Sequence, residues 1–94
     1  MRALWDDGKA ATNLKKHRVS FEQAIEVFDD QFHVSKEDEF ATGERRFLTI
    51  GLVENVGLIV VVHTVEGEGT NDEFVRIISA RRAERHERKA YENG

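Results

Sequence analysis

The cationic side chains that could bind a phosphate group are concentrated at the carboxyl end of the chain. Residues 76–94 hold six Lys or Arg against three Asp or Glu, whereas residues 1–75 hold eight against fifteen. The planar arginine guanidinium suits phosphate and carboxylate oxygens better than a lysine ammonium does. On a chain of net charge −4, this asymmetry indicates either a solvated charged face or a surface for an anion or an acidic partner.

Two residues in strand-like segments could also take part in chemistry. Arg76 lies in "FVRIIS", where alternation predicts that it shares a face with Phe74 and Ile78. A charge in an apolar strand either pairs with an acid or lines an open surface that binds an anion. His63 follows "LIVVV" and is either a hydrogen-bonded core histidine or a general acid or base that works near neutral pH.

The motifs of several other chemistries are missing from the sequence. The histidines form no i, i+4 pair and no HExxH, and there is no Walker loop, GxGxxG or GxSxG. We therefore expect neither a metal nor a cofactor. Cleavage of RNA fits the remaining residues, because RNA supplies its own 2′-OH nucleophile. Arginines could stabilise the charge that develops on the phosphorus, and only modest acid–base help is needed.

The chain is expected to form a single domain over residues 1–94 with no membrane partner. It has no Pro, no Cys and no low-complexity linker, and its longest apolar run, "GLIVVV", is six residues. Asp6 and Asp7 stand where the apolar part of a signal peptide would begin, so we expect a cytoplasmic location.

The periodicity predicts an α+β fold. An edge strand around Leu4 precedes a helix that is capped by Asp6 or Asp7 and ends near His17 or Arg18. Ser20 and Gln23 begin a second helix at capping-box spacing, which "DDQ" closes. The expected strands are "FHVSKE", "RRFLTIGLV", "GLIVVVHTVE" and "EFVRIISA". The last three should form an antiparallel meander, with both early helices packed on one face of the sheet.

A basic helix is expected from Arg81 to the end of the chain. Ala80, Ala83, Ala90 and Tyr91 would share a packing arc, and Arg81, Arg85 and Arg88 would lie on the opposite side.

Four segments together resemble one family over most of the chain. They are "LWDDGKAATNLKKHRVSFEQAIEVFDD", "GERRFLTIG", "VVVHT" and "RIISARRAERHERKAYE". In this order and spacing they resemble the BrnT family, the toxins of type II toxin–antitoxin pairs. The resemblance implies a RelE-like ribonuclease fold, RNA cleavage and translational arrest in a prokaryotic cytoplasm. It also implies a BrnA-like ribbon-helix-helix antitoxin in a complex of two toxins and two antitoxins, with DNA contacted only through the antitoxin.

The resemblance also suggests roles for individual residues. His63 would act as acid or base, and Arg76 and Arg81 would bind the phosphorane. Tyr91 would be a further catalytic residue or only an anchor for its helix. The expected RNA contacts are Arg45, Arg46, Arg82, Arg85 and Lys89. One position departs from the family: Glu66 stands where a basic residue often follows the "HT" pair. A competing hypothesis is a non-catalytic binding module, in which the Arg-rich helix docks an acidic protein or nucleic acid.

Overall fold

Five strands, three α-helices and one 3₁₀ helix make up the fold. The computed structural model describes all 94 residues. In chain order the elements are β1 (Ala3–Leu4), α1 (Asp7–His17), α2 (Phe21–Ala24), the 3₁₀ helix (Ile25–Asp29), β2 (Val34–Glu37), β3 (Phe47–Val53), β4 (Gly57–Glu66), β5 (Phe74–Arg82) and α3 (Arg85–Asn93). None of the helices is long and apolar enough to cross a membrane.

The strands form one mixed sheet in the order β1-β5-β4-β3-β2. The predicted antiparallel meander is present as β3, β4 and β5, and β2 extends it at one edge. β1 pairs in parallel with β5 at the other edge. The α+β class is therefore confirmed, although the sheet is not wholly antiparallel as predicted.

One face of the sheet is covered by the N-terminal helices. Asp6 caps α1 by accepting from the Lys9 backbone N–H, and Ser20 and Gln23 form the predicted capping box. The second helix differs from the prediction, because only Phe21–Ala24 is α-helical before the chain tightens into the 3₁₀ helix. The core on this face joins side chains of these helices to the sheet: Val19, Phe21, Ala24, Val27, Val53, Ile59, Val61, Val75, Ile77 and Ala80.

The opposite face carries a smaller apolar cluster of Ile50, Leu58 and Val60. Strand alternation points these three side chains away from the first core. Ala83 and Tyr91 pack against them, so α3 lies on this second face.

The last strand is longer than predicted, and the last helix begins later. Arg81 and Arg82 belong to β5, where they pair with Val60 and Ile59, and α3 begins only at Arg85. Pairing with a neighbouring strand outweighs the local helix preference of an arginine-rich segment. Glu84 is the N-cap residue of α3.

A bulge also interrupts the residue pairing of β5 after Arg76. In the β4–β5 register Arg76 opposes Thr64, His63 opposes Ile77 and Val62 opposes Ser79, which leaves Ile78 as the extra residue. The simple alternation that the sequence predicts from Arg76 to Ile78 is therefore interrupted, because the bulge puts Ser79 rather than Ile78 opposite Val62.

Candidate functional site

Three arginines lie on the sheet face that carries α3, and we call them the arginine face: Arg46, Arg76 and Arg81. Arg76 opposes Thr64, and Arg81 opposes Val60. These partners are four residues apart on β4, which puts the two arginines roughly 13 Å apart along the sheet. Arg46 comes immediately before β3 and belongs to the same region, because it shares the carboxylate of Glu44 with Arg76.

Arg76 lies between two carboxylates. Its Nη2 is 2.6 Å from Oε2 of Glu44 and 3.6 Å from Oε2 of Glu66. The other Glu44 oxygen is 3.8 Å from Nη2 of Arg46. All four side chains are partly exposed to solvent. Of the two possibilities for Arg76, the structure shows the one in which it pairs with acids, on a surface that solvent still reaches.

Two further polar groups belong to this cluster. The hydroxyl of the buried Thr64 donates to Oε2 of Glu66 over 2.6 Å. The Nε of Arg46 is buried and makes no hydrogen bond. A buried donor without an acceptor is unfavourable by about 1–3 kcal/mol.

Arg81 is held by the last helix. Its two terminal nitrogens donate to the two oxygens of Glu87, each over 2.8 Å. The hydrogen bonds from Arg81 hold the pKa of the buried Glu87 below its usual value, and those to Glu87 raise the pKa of Arg81. Glu87 also accepts from the Glu84 backbone N–H, which completes a capping box at the start of α3.

His63 is a buried, hydrogen-bonded core residue. Its Nε2 lies 2.7 Å from the Thr49 hydroxyl and its Nδ1 lies 3.0 Å from the Thr64 carbonyl oxygen. The rings of Phe28 and Phe47 contact it at an edge and on a face. Burial lowers the pKa of the imidazole. The geometry favours the core-histidine alternative, because both ring nitrogens are engaged and the ring faces the N-terminal helices.

The hydroxyl of Tyr91 is engaged by Asp30 and makes no hydrogen bond to an arginine of the arginine face. Its hydroxyl donates to Oδ2 of Asp30 over 2.6 Å, and the ring packs on the second-face apolar cluster. This hydrogen bond raises the pKa of Tyr91. For Asp30, burial acts against ionisation, but hydrogen bonds from Tyr91, Leu52 and Phe32 outweigh it, so the carboxyl pKa is lowered. These contacts favour the anchoring alternative for Tyr91.

The other predicted RNA contacts do not join the arginine face. Arg45 forms a fork with Glu37 and lies over the ring of Phe47, which belongs to the His63 side of the sheet. Arg82 donates to the carbonyl of Val56 in the β3–β4 turn. Arg85 and Lys89 are exposed on α3 and make no ion pair there.

The carboxylates that organise the site could not be picked out as such from the sequence. Glu44 and Glu87 gave no signal, because charged residues in a loop or on a surface helix are common. Glu66 was noticed only as a departure from the family pattern. No group of three or more His, Cys, Asp or Glu side chains is placed to hold a metal ion.

This small α+β domain therefore presents partly exposed arginines on one sheet face, and the guanidinium group suits phosphate oxygens as well as the carboxylates that it holds here. Residues 5–87 match the family of ribonuclease toxins, BrnT, of type II toxin–antitoxin systems, and the chain belongs to this family. The fold is similar to that in the 1.1 Å crystal structure of the Brucella abortus ribonuclease toxin BrnT. The TM-score is 0.62 at 26% identity, over 90% of this chain and 99% of that chain. No curated protein matches the sequence significantly.

Proposed function

We propose that this chain is a metal-independent endoribonuclease that cuts RNA at the arginine face and arrests translation in a prokaryotic cytoplasm. Membership of a ribonuclease toxin family supports the reaction. One structural observation carries the location: Arg46 and Arg76 converge on a single carboxylate, that of Glu44. Two guanidinium groups that hold a carboxylate also suit the oxygens of an RNA phosphate.

The proposed mechanism needs no bound metal because RNA brings its own nucleophile. Arg76 and Arg46 would hold the scissile phosphate and stabilise the charge that grows on its oxygens during the attack of the 2′-OH. Arg81 could contribute only after it exchanges Glu87 for a phosphate. We further infer that the fold groups with the RelE-type ribonucleases, which also place basic residues on the last strands of an antiparallel sheet.

The experiment is a cleavage assay with purified chain and end-labelled RNA in excess EDTA. Arg76→Ala is expected to lower the cleavage rate by about 100-fold or more, the usual effect of removing one preorganised charge-stabilising group. Arg45→Ala is the matched control, because Arg45 is also an exposed arginine paired with a glutamate but lies off the arginine face. Cleavage that survives in Arg76→Ala would refute the location. RNA binding without cleavage would instead favour a non-catalytic binding module.

We also propose a BrnA-like ribbon-helix-helix antitoxin as the partner, in a complex of two toxins and two antitoxins that reaches DNA only through the antitoxin. An acidic antitoxin segment could occupy the arginine face in place of Glu44. RNA and antitoxin should therefore compete for the toxin. A titration that finds both bound at once would refute a shared surface, and Arg76→Ala should weaken both interactions.

A further inference from the structure

RNA cleavage through the 2′-OH requires a group that removes the hydroxyl proton, and the expected residues do not supply it at the arginine face. His63 is buried with both ring nitrogens engaged. Tyr91 is hydrogen-bonded to Asp30 beneath α3. A general base must come within hydrogen-bond reach of its proton, so the carboxylates beside Arg76 are the remaining acceptors there.

From this geometry we propose that Glu66 is the general base, an inference that rests on the proposed ribonuclease function. Glu66 ends β4 and lies on the face of Thr64 and Arg76. The Thr64 hydroxyl and the Arg76 guanidinium both contact its Oε2, at 2.6 Å and 3.6 Å. Its Oε1 makes no hydrogen bond and is free to accept a proton next to a phosphate bound by Arg76.

Glu44 differs from Glu66 in position and therefore in role. It lies in the loop between β2 and β3, and its two oxygens face Arg76 and Arg46. Glu44 thus fills the place of an anion between two arginines, and an incoming phosphate must displace it. Glu66 is fixed instead by a buried threonine on the strand and can stay beside the phosphate when Glu44 leaves.

The chemical step balances without an added reactant. Glu66 takes the proton of the 2′-OH as the 2′-oxygen forms a bond to phosphorus, and the bond from phosphorus to the 5′-oxygen breaks. Water protonates the departing 5′-oxygen, and Glu66 later returns its proton to solvent. The products are a 2′,3′-cyclic phosphate and a 5′-hydroxyl, while Arg76 and Arg46 stabilise the phosphorane charge.

The test compares Glu66→Gln with Glu44→Gln in steady-state cleavage of one defined RNA. Both substitutions are isosteric, and both remove a carboxylate from the same Nη2 of Arg76. Glu66→Gln is expected to lower kcat by about 100-fold or more, with KM unchanged or lower. Glu44→Gln removes a competitor of phosphate between Arg76 and Arg46, so its main effect should be a lower KM.

The sign of the Glu66→Gln effect decides between a base and a simple ion-pair partner. If Glu66 only shields Arg76, its removal should favour RNA binding and raise cleavage, which would overturn the proposal. Glu66→Asp keeps the carboxylate and should retain a kcat between wild type and Glu66→Gln; equal loss in both would count against proton transfer. Circular dichroism checks that each variant folds.

The substrate itself provides a second readout. A 2′-O-methyl group at the scissile position should block cleavage but not binding, and wild-type products should carry a 2′,3′-cyclic phosphate. Cleavage of the methylated RNA would mean attack by water and would overturn the assignment. If the wild type cuts no RNA, the proposed function is overturned as well. If the wild type cuts RNA and Glu66→Gln keeps the same kcat, only the role of Glu66 is overturned.

Discussion

Arg81 and Glu87 join the last strand to the last helix through two parallel hydrogen bonds of 2.8 Å. The side chain of Glu87 is only 10% exposed, and its Oε1 also accepts from the backbone at the start of α3. The pair therefore fixes where α3 begins and how it lies on the sheet. Arg81 is therefore paired with a buried helix carboxylate, whereas Arg76, on the same face, is paired with the partly exposed Glu44 and Glu66.

Replacing Arg81 by lysine should destabilise the fold although the charge is kept. Lysine presents a single ammonium and cannot reproduce the two-pronged contact with Glu87. We expect the free energy of unfolding to fall by about 1–2 kcal/mol, less than for a fully buried pair because Arg81 is partly exposed. Urea unfolding at pH 7 measures this change in the free energy of unfolding. Arg85→Lys, on the exposed side of α3, is the control and should stay within about 0.5 kcal/mol of wild type.

The same pair predicts a contribution to acid sensitivity. Hydrogen bonding from Arg81 lowers the pKa of Glu87 in the folded state from the ordinary 4.5. The unfolded state therefore binds more protons below about pH 4.5, so stability from this group is complete above that pH and is lost as the pH falls towards the folded-state pKa. Urea midpoints between pH 7 and pH 3 should fall less steeply for Glu87→Gln than for wild type. Parallel curves would show that Glu87 is not coupled to folding.

His63→Ala should unfold the protein more easily without removing the chemistry of the folded molecules. The substitution leaves a cavity between Phe28 and Phe47 and a Thr49 hydroxyl without its partner. A loss of about 2–4 kcal/mol is expected from comparable core truncations. Thermal unfolding and cleavage per folded molecule, measured below the lowered melting point, separate the two effects. A variant of wild-type stability that cannot cut RNA would return His63 to the catalytic site.

Tyr91→Phe tests whether the tyrosine hydroxyl anchors α3 or takes part in cleavage. The hydroxyl donates to Asp30 over 2.6 Å, so its loss should lower the free energy of unfolding by about 1 kcal/mol and leave kcat unchanged. Asp30→Asn removes the charged acceptor, and a double-mutant cycle with Tyr91→Phe should give a coupling of similar size. A large fall in kcat with unchanged stability would contradict the anchoring role.

The sequence was informative where a pattern is local. Cap residues such as Asp6 and Ser20 predicted where helices begin, and the apolar run before His63 predicted the central strand β4. The expected end of β5 was wrong, because cross-strand pairing of Arg81 and Arg82 decides it and that pairing has no local signal. The β4–β5 bulge, which leaves Ile78 without a partner on β4, also has no local signal in the sequence.

Three of the seven cations named from the sequence lie on the arginine face, whereas the carboxylates beside them could not be named as its partners. Arg76 could be singled out because a charge inside an apolar strand is rare. Its partner Glu44 is 32 residues away in the chain, in a loop that only the folded sheet brings near. Similarly, the sequence left open whether His63 reacts or packs, since that depends on which face of β4 the helices cover.

The exposed cations of α3 should affect RNA affinity and its salt dependence rather than the chemical step. Arg85 and Lys89 are solvent-exposed and bind no carboxylate, so they can contact phosphates at little cost. Each contact with single-stranded RNA contributes about 0.7 to the slope of log affinity against log salt concentration. The double substitution of both residues by alanine should therefore reduce the slope by about 1.4 and raise KM, while kcat stays at the wild-type value. The slope is measured by fluorescence anisotropy with labelled RNA between 50 and 200 mM salt, roughly the range over which such effects are large.

Alanine at Lys15 and Lys16 removes the same charge from the last turn of α1, on the other side of the sheet, and should leave the slope unchanged. Equal effects from both double variants would mean that RNA responds to net charge alone and that α3 offers no specific contact.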